Sequence, residues 1–291
     1  MILSVGEILI DSYNEKSTTS IHLGGAPFNV AVWAKRAGAN VGFVGKVGGD
    51  EYGCFIKEKS MDFDLDYVNI SVAKGLKTTI AEVTVDGFGE RSFRFLRDNT
   101  ADYQLSENDV DLKGFNGGIL HLGTLMLSKD LGRKFAMDIL AKARTNNMLI
   151  SVDVNFRDDL FESKSERNLA IKPYIESADF LKMGLDEILD YTGKTNLENA
   201  VKSMPYKQVL FVTDGANGSH VFFENLHEFI PAKMVDPIDT TGAGDAFWGT
   251  VLAGIDNLTK NGAPLTMKNL SIIAENANLA GAKAVLHKGA I

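Results

Sequence analysis

The strongest constraint on this chain is an alternation of short apolar runs with stretches of helical spacing. Leu3–Ile10 (LSVGEILI) reads as a strand and Val41–Val47 (VGFVGKV) as the next. Between them, Ala26–Ala37 has helical spacing and stops at Gly38, a residue suited to ending a helix. Further strands are expected at Gly118–Leu122, Leu149–Val154, Ala178–Lys182 and Gln208–Thr213, with helices such as Asp130–Arg144 and Arg167–Ile175 between them. Such a rhythm predicts an α/β fold whose mostly parallel sheet is covered on both faces. Hydrophobic residues make up 45% of the 291, enough to bury a large core.

Three segments break the rhythm. Thr18–Leu23, Lys77–Asp86 and Glu90–Leu96 alternate apolar with polar residues, and Gly87-Phe88-Gly89 suits a hairpin between the last two. They form either a small sheet projecting as a lid, within about 12–24 and 77–98, or an antiparallel extension of the main sheet. No internal repeat, low-complexity tract or Pro-rich linker interrupts the chain, so one domain over 1–291 is expected.

The formal net charge is −8, and no dense Lys/Arg run is present, which disfavours a nucleic-acid binder. A phosphorylated ligand would have to be held locally, for instance by backbone amides at a helix N-terminus. No signal peptide or stretch of eighteen apolar residues is read, so no membrane span is expected. The single cysteine, Cys54, excludes an internal disulfide, and its expected state is a packed, inert thiol. A cytoplasmic location follows. The five histidines show no zinc spacing.

Chemistry concentrates in Asp236–Gly249 (DPIDTTGAGDAFWG). Pro237 and the small residues mark a loop, and the apolar sequence from Ala246 onward marks a buried helix. Gly242, Ala243 and Gly244 therefore fall at a helix N-terminus, where free N–H groups can converge on an anion. Asp245 follows in the first turn. Taken alone, it reads first as an acid complementing the helix dipole.

The run Asp239-Thr240-Thr241-Gly242-Ala243-Gly244-Asp245 resembles the hallmark of the ribokinase-type (PfkB) carbohydrate kinases. A second signature of that family lies more than two hundred residues earlier. It comprises Gly24-Gly25-Ala26-Pro27-Phe28-Asn29-Val30-Ala31, Gly38, and Gly45-x-x-Gly48-x-Asp50-x-x-Gly53. The resemblance spans the chain from end to end. It implies a doubly wound α/β fold with a β-lid, a sugar between lid and body, and ATP toward the C-terminal half. It further implies Asp245 as the base that accepts the proton of the attacking hydroxyl, and Gly242, Ala243 and Gly244 as the anion hole. Phosphoryl transfer needs alignment and electrostatic stabilisation, which such a helix tip can supply without a P-loop.

By the same resemblance Asp11, Gly25 and Asn29 contact the sugar; a turn residue and a helix cap are the plain alternatives for Asp11 and Asn29. Glu7–Asp11, Arg97 with Ala101-Asp102, and Asp153-Val154-Asn155-Phe156-Arg157 look like fructokinase, although 2-keto-3-deoxygluconate kinases share a similar last segment. Arg97 is then a substrate contact borne by the lid. Arg157 serves an acid sugar's carboxylate or the nucleotide end of the site. The alternative for each is a surface ion pair. Thr213, Gly215 and Gly218 resemble the family's nucleotide turn, and Asn278 a residue beside the adenine pocket. Glu187 fits an acidic position acting through water on the Mg²⁺ that accompanies ATP, or is an ordinary acid in a helix's first turn. Asp239 and Thr241 match two ligands of a K⁺ site completed by the segment around Ala284–Gly289. A homodimer through the lid is implied as well.

Overall fold

The computed structural model describes residues 1–15, 18–85 and 91–291. Nine strands form the main sheet: β1 (Ile2–Val5), β4 (Val41–Gly48), β5 (Tyr67–Ala73), β8 (Ile119–Leu122), β9 (Leu149–Asp153), β10 (Phe180–Gly184), β11 (Val209–Thr213), β12 (Gly218–Phe223) and β13 (Leu226–Pro231). Their order is β13-β12-β11-β10-β9-β8-β1-β4-β5. All pairs from β11 to β5 are parallel, and only β12 and β13 add antiparallel strands at one edge.

Alternation along the buried strands feeds two cores. In β10 and β11, Phe180, Val209 and Phe211 join one cluster, while Leu181, Met183, Leu210 and Val212 join the other. The first core is closed by α1 (Ala26–Arg36), α7 (Ala243–Lys260) and α8 (Met267–Ala284). The second is closed by α3 (Asp130–Thr145), α4 (Lys164–Ser177) and α5 (Leu185–Thr192). Both faces are thus covered, which is why these strands read as unbroken apolar runs. Among the described residues no helix is long and apolar enough to cross a membrane.

A separate four-stranded sheet has the order β3-β2-β6-β7, from β2 (Leu9–Glu15), β3 (Thr18–Gly24), β6 (Ile80–Val85) and β7 (Arg91–Leu96). It is a second sheet, and no edge extension of the first. The hairpin residues Gly87-Phe88-Gly89 lie outside the described residues. One expectation needs correction: Leu3–Ile10 is two strands. Gly6 N–H still donates to Val44 in the main sheet, whereas Ile10 N–H donates to Thr79 in the small one. Every residue from Ile2 to Ile10 is buried as the chain crosses between the sheets, so no exposed residue marks the break. Cys54 is corrected as well. It is exposed on α2 (Glu51–Lys59), whose buried side is carried by Gly53 and Ile56.

Candidate active site

β1 has β4 on one side and β8 on the other, so the strand order reverses there; ligands of open α/β sheets bind at the carboxyl ends beside such a point. A cavity of about 480 Å³ lies there, between the two sheets. The small sheet contributes one row: Asp11 pairs with Ala81, which pairs with Phe95. With Leu9 and Leu125 this row adds an apolar patch to the wall. The strand ends supply Glu7, Thr124, Asp153, Asn155, Arg157 and Lys182, and the two helix starts supply Gly25, Asn29, Thr241, Gly242, Gly244 and Asp245. An apolar patch facing convergent polar groups suits a polyhydroxylated ligand.

The position of Asp245 follows from helix packing. A Cβ on Gly249 would lie 2.5 Å from the Val30 carbonyl oxygen, so only a glycine lets α7 approach α1 this closely. One turn earlier on α7, and next to Val30 on α1, Asn29 Nδ2 donates to Asp245 Oδ2 at 2.8 Å. Asn29 is therefore inside α1 and does not cap it; Gly25 holds the cap position. Burial above all pushes Asp245 above the ordinary carboxylate range, against the pull of Asn29, Lys182 and Arg157. A base that binds its proton more tightly suits the task of taking one from an alcohol.

Gly242 caps α7 with φ 78°, the left-handed conformation that glycine adopts freely. Ala243 N–H makes a long bond of 3.3 Å to the Thr240 carbonyl, leaving the helix tip open to an outside acceptor. Lys182 Nζ would lie 3.1 Å from a Cβ on Gly244, which sets a full positive charge beside the tip. That ammonium sits 2.8 Å from both carboxylate oxygens of Asp153. Burial disfavours the charge on Lys182, but Asp153, Glu187 and Asp245 outweigh it and hold its pKa above the ordinary value.

A second cavity of about 350 Å³ adjoins the first, and Thr240 and Gly244 line both. Its wall includes Thr213, Gly215, Gly218, Ala243 and Asn278, four of them the residues expected around a nucleotide. The Asn278 amide donates to the Ile230 carbonyl at 3.0 Å, fixing the end of β13 at the rim. Asp239 is buried behind the tip. It accepts from Thr241 N–H at 2.7 Å, from Gly289 N–H at 2.9 Å and from the Tyr13 hydroxyl of the small sheet at 3.3 Å. The Val285 carbonyl takes the N–H groups of Ile238 and Asp239, so the C-terminal segment does reach this loop.

Two expected contacts are placed elsewhere. Arg97 is buried away from the cavity, in an ion pair of 2.6 Å with Asp102 and a hydrogen bond to Ser128. Asp102 also accepts from Thr79 and Thr100, so this knot fastens the base of the small sheet. Glu187 accepts from Phe156 N–H at 2.7 Å and Gly184 N–H at 2.6 Å, so from the first turn of α5 it reaches back to the cap residue Gly184. Among the described residues, no three His, Cys, Asp or Glu side chains converge as a metal cage. That donor set fits a divalent ion carried on a ligand's phosphates and not one held in a dedicated cage.

Lys182 and Glu7 carried no expected role in the sequence. A lone lysine in a buried strand and a lone acid in LSVGEILI were the available signals, since neither charge is tolerated there without a purpose. Burial first of all pushes Glu7 up to about 8, Asp11 to about 7 and Asp153 to about 6. Each keeps its proton to a higher pH in the fold than in the unfolded chain. The folded state therefore binds more protons between the ordinary carboxylate range and pH 8, and stability falls as pH rises through that window. The melting temperature should be highest near about pH 5 and drop by about pH 8; a rise over that interval would contradict this account.

A model of the "pfkB family carbohydrate kinase" matches residues 1–291. The chain belongs to that family. Among relatives of this pfkB-family kinase is a fructokinase of Vibrio alginolyticus, 32% identical over 298 residues, covering 98% of this chain and 93% of the relative. A probable fructokinase-2 of Arabidopsis thaliana is 31% identical over 303 residues, covering 100% and 92%. In structure, this kinase resembles the fructokinase of Vibrio cholerae O395 with fructose, ADP and calcium ion bound: TM-score 0.90, 28% identity, 99% and 94% covered. A double mutant of that enzyme with fructose, ADP and potassium ion bound gives a TM-score of 0.89 at 27% identity, with 99% and 93% covered. The shared architecture is the ribokinase-like α/β fold with a small β-sheet lid.

Proposed function

We propose that this sugar kinase transfers the γ-phosphoryl group of ATP to the 6-hydroxyl of D-fructose. The observation that carries the reading is the meeting of two cavities at one helix tip, with Asp245 on the larger cavity's side. The sugar occupies the larger cavity, and ATP the smaller one with its phosphates directed at Gly242–Gly244. Asp245, oriented by Asn29, takes the proton of the attacking hydroxyl. The backbone at the tip and the Lys182 ammonium meet the charge on the transferred phosphoryl oxygens. Mg²⁺ bound with ATP would neutralise phosphate charge, and Glu187, already capped by two backbone N–H groups, would reach it only through water. A K⁺ near Asp239 and Thr241 would steady the loop that shapes the tip. The lid excludes water, which would otherwise compete as acceptor. Cytoplasmic action belongs to the same reading.

Fructose is favoured by the names of the relatives, which are fructokinases. Arg157 on the wall is the one feature that speaks for 2-keto-3-deoxygluconate. A coupled assay with ATP and Mg²⁺, with and without K⁺, over fructose, ribose, 2-keto-3-deoxygluconate and adenosine decides the matter. Fructose should lead in kcat/KM by about tenfold or more. Preference for another acceptor would remove fructose, and absence of turnover with all of them would remove the kinase assignment.

A further inference from the structure

Glu7 is 4% exposed, and its Oε2 is closed to solvent with no hydrogen-bond partner. Arg97 is near enough to act on it; that guanidinium is ion-paired with Asp102, and its Nη2 likewise makes no hydrogen bond. A buried polar atom left without a partner is rare in a native protein and calls for an explanation. Glu7 lines the sugar cavity and is absent from the nucleotide cavity. Its position is fixed by backbone packing: a Cβ on Gly123 would lie 2.7 Å from Oε2 and 2.3 Å from Pro27 Cγ. Oε2 abuts Gly123 and is sealed from the cavity, so a ligand group can meet this carboxyl, held in place on the wall, only at its other oxygen, Oε1.

We propose that Glu7 is a sugar-binding residue whose carboxyl group hydrogen-bonds, through its cavity-side oxygen, a hydroxyl of the bound acceptor other than the one phosphorylated. This rests on the sugar-kinase reading above. The reacting hydroxyl belongs to Asp245 at the helix tip, so Glu7 reads a different part of the sugar. Burial pushes Glu7 up to about 8, so near neutral pH the group is a neutral acid that can donate as well as accept. Asp102 and Arg97 face it from the segment after β7, and Asp245 from α7. Asp11, Asp153, Arg157 and Lys182 share the cavity. Above its pKa, Glu7 loses its donor hydrogen and becomes an anion near Asp102 and Asp245.

The test is steady-state kinetics of wild type, Glu7→Gln and Glu7→Ala with fructose and with fructose analogues lacking one hydroxyl. Glu7→Ala should raise the sugar KM about tenfold or more with little change in the ATP KM. One deoxy analogue should lose about tenfold on wild type and nothing further on Glu7→Ala, because the partner is already gone. The wild-type sugar KM should rise above about pH 8, and Glu7→Gln, which keeps a donor and cannot titrate, should lack that rise. Glu7→Gln is close in shape and carries the test if Glu7→Ala fails to fold. Wild-type sugar KM in both variants, or equal losses for sugar and ATP, overturns the proposal. A wild-type protein that turns over no sugar and shows no sugar-induced melting shift overturns the kinase reading and this inference together. If a different sugar is preferred, its own deoxy analogues give the same readout.

Discussion

Replacing Asp245 with Asn should lower kcat by roughly 10²–10⁴-fold, the range supplied by a positioned general base. The substitution keeps the shape of the side chain. An oxygen can still accept from Asn29 Nδ2, which now lies 2.8 Å from Asp245 Oδ2. It also removes a charge whose burial already raises its pKa, so the fold should lose little and could gain. The expected signature is a collapse of kcat with a melting temperature near that of wild type. A variant that turns over at close to the normal rate would remove Asp245 from the chemistry. A variant that merely unfolds would show that the carboxylate serves packing.

Lys182→Met should have the largest effect on stability. The pair it breaks is buried, with side-chain exposures of 8% for Lys182 and 4% for Asp153. Removing one partner of a buried pair costs about 3–5 kcal/mol, which for a chain of this size lowers the melting temperature by roughly 6–15 °C. The loss should deepen with rising pH, because Asp153 can escape its isolation only by taking a proton. Turnover should fall by roughly 10²-fold as well, since the ammonium beside Gly244 stabilises transferred charge. Differential scanning calorimetry at two pH values and a kcat measurement decide between the two roles. Unchanged melting would mean that Asp153 finds another partner; unchanged kcat would confine Lys182 to structure.

The glycine turn and its aspartate were legible because the groups that meet the phosphate are neighbours in the chain. The same holds for the parallel core, whose strands are apolar on both faces. What stayed hidden depends on long-range placement. Asn29 and Asp245 are 216 residues apart, and only the approach of α1 to α7 shows that one orients the other. Arg97, just past the end of β7, is taken up by Asp102 and Ser128, and periodicity alone cannot say which partner a side chain finds at a strand end. For Glu187 the sequence left two readings, an acid acting through water on Mg²⁺ and an acid in a helix's first turn, because both tasks call for the same residue type. The edge strands β5 and β13 were not read, nor was β12 beside β13, since their mixed polar residues give a weaker pattern. A resemblance to a family supplied roles for residues such as Asp11 that chain chemistry alone would have left as turn residues.

The contact at Gly249 ties the aim of the reacting carboxylate to the interior of the protein and keeps it apart from the surfaces that meet the sugar. Strand-end loops and the small sheet can therefore change which acceptor is welcomed while the proton-taking group stays where two packed helices hold it. Substrate choice and chemical step are, in this architecture, separately adjustable parts.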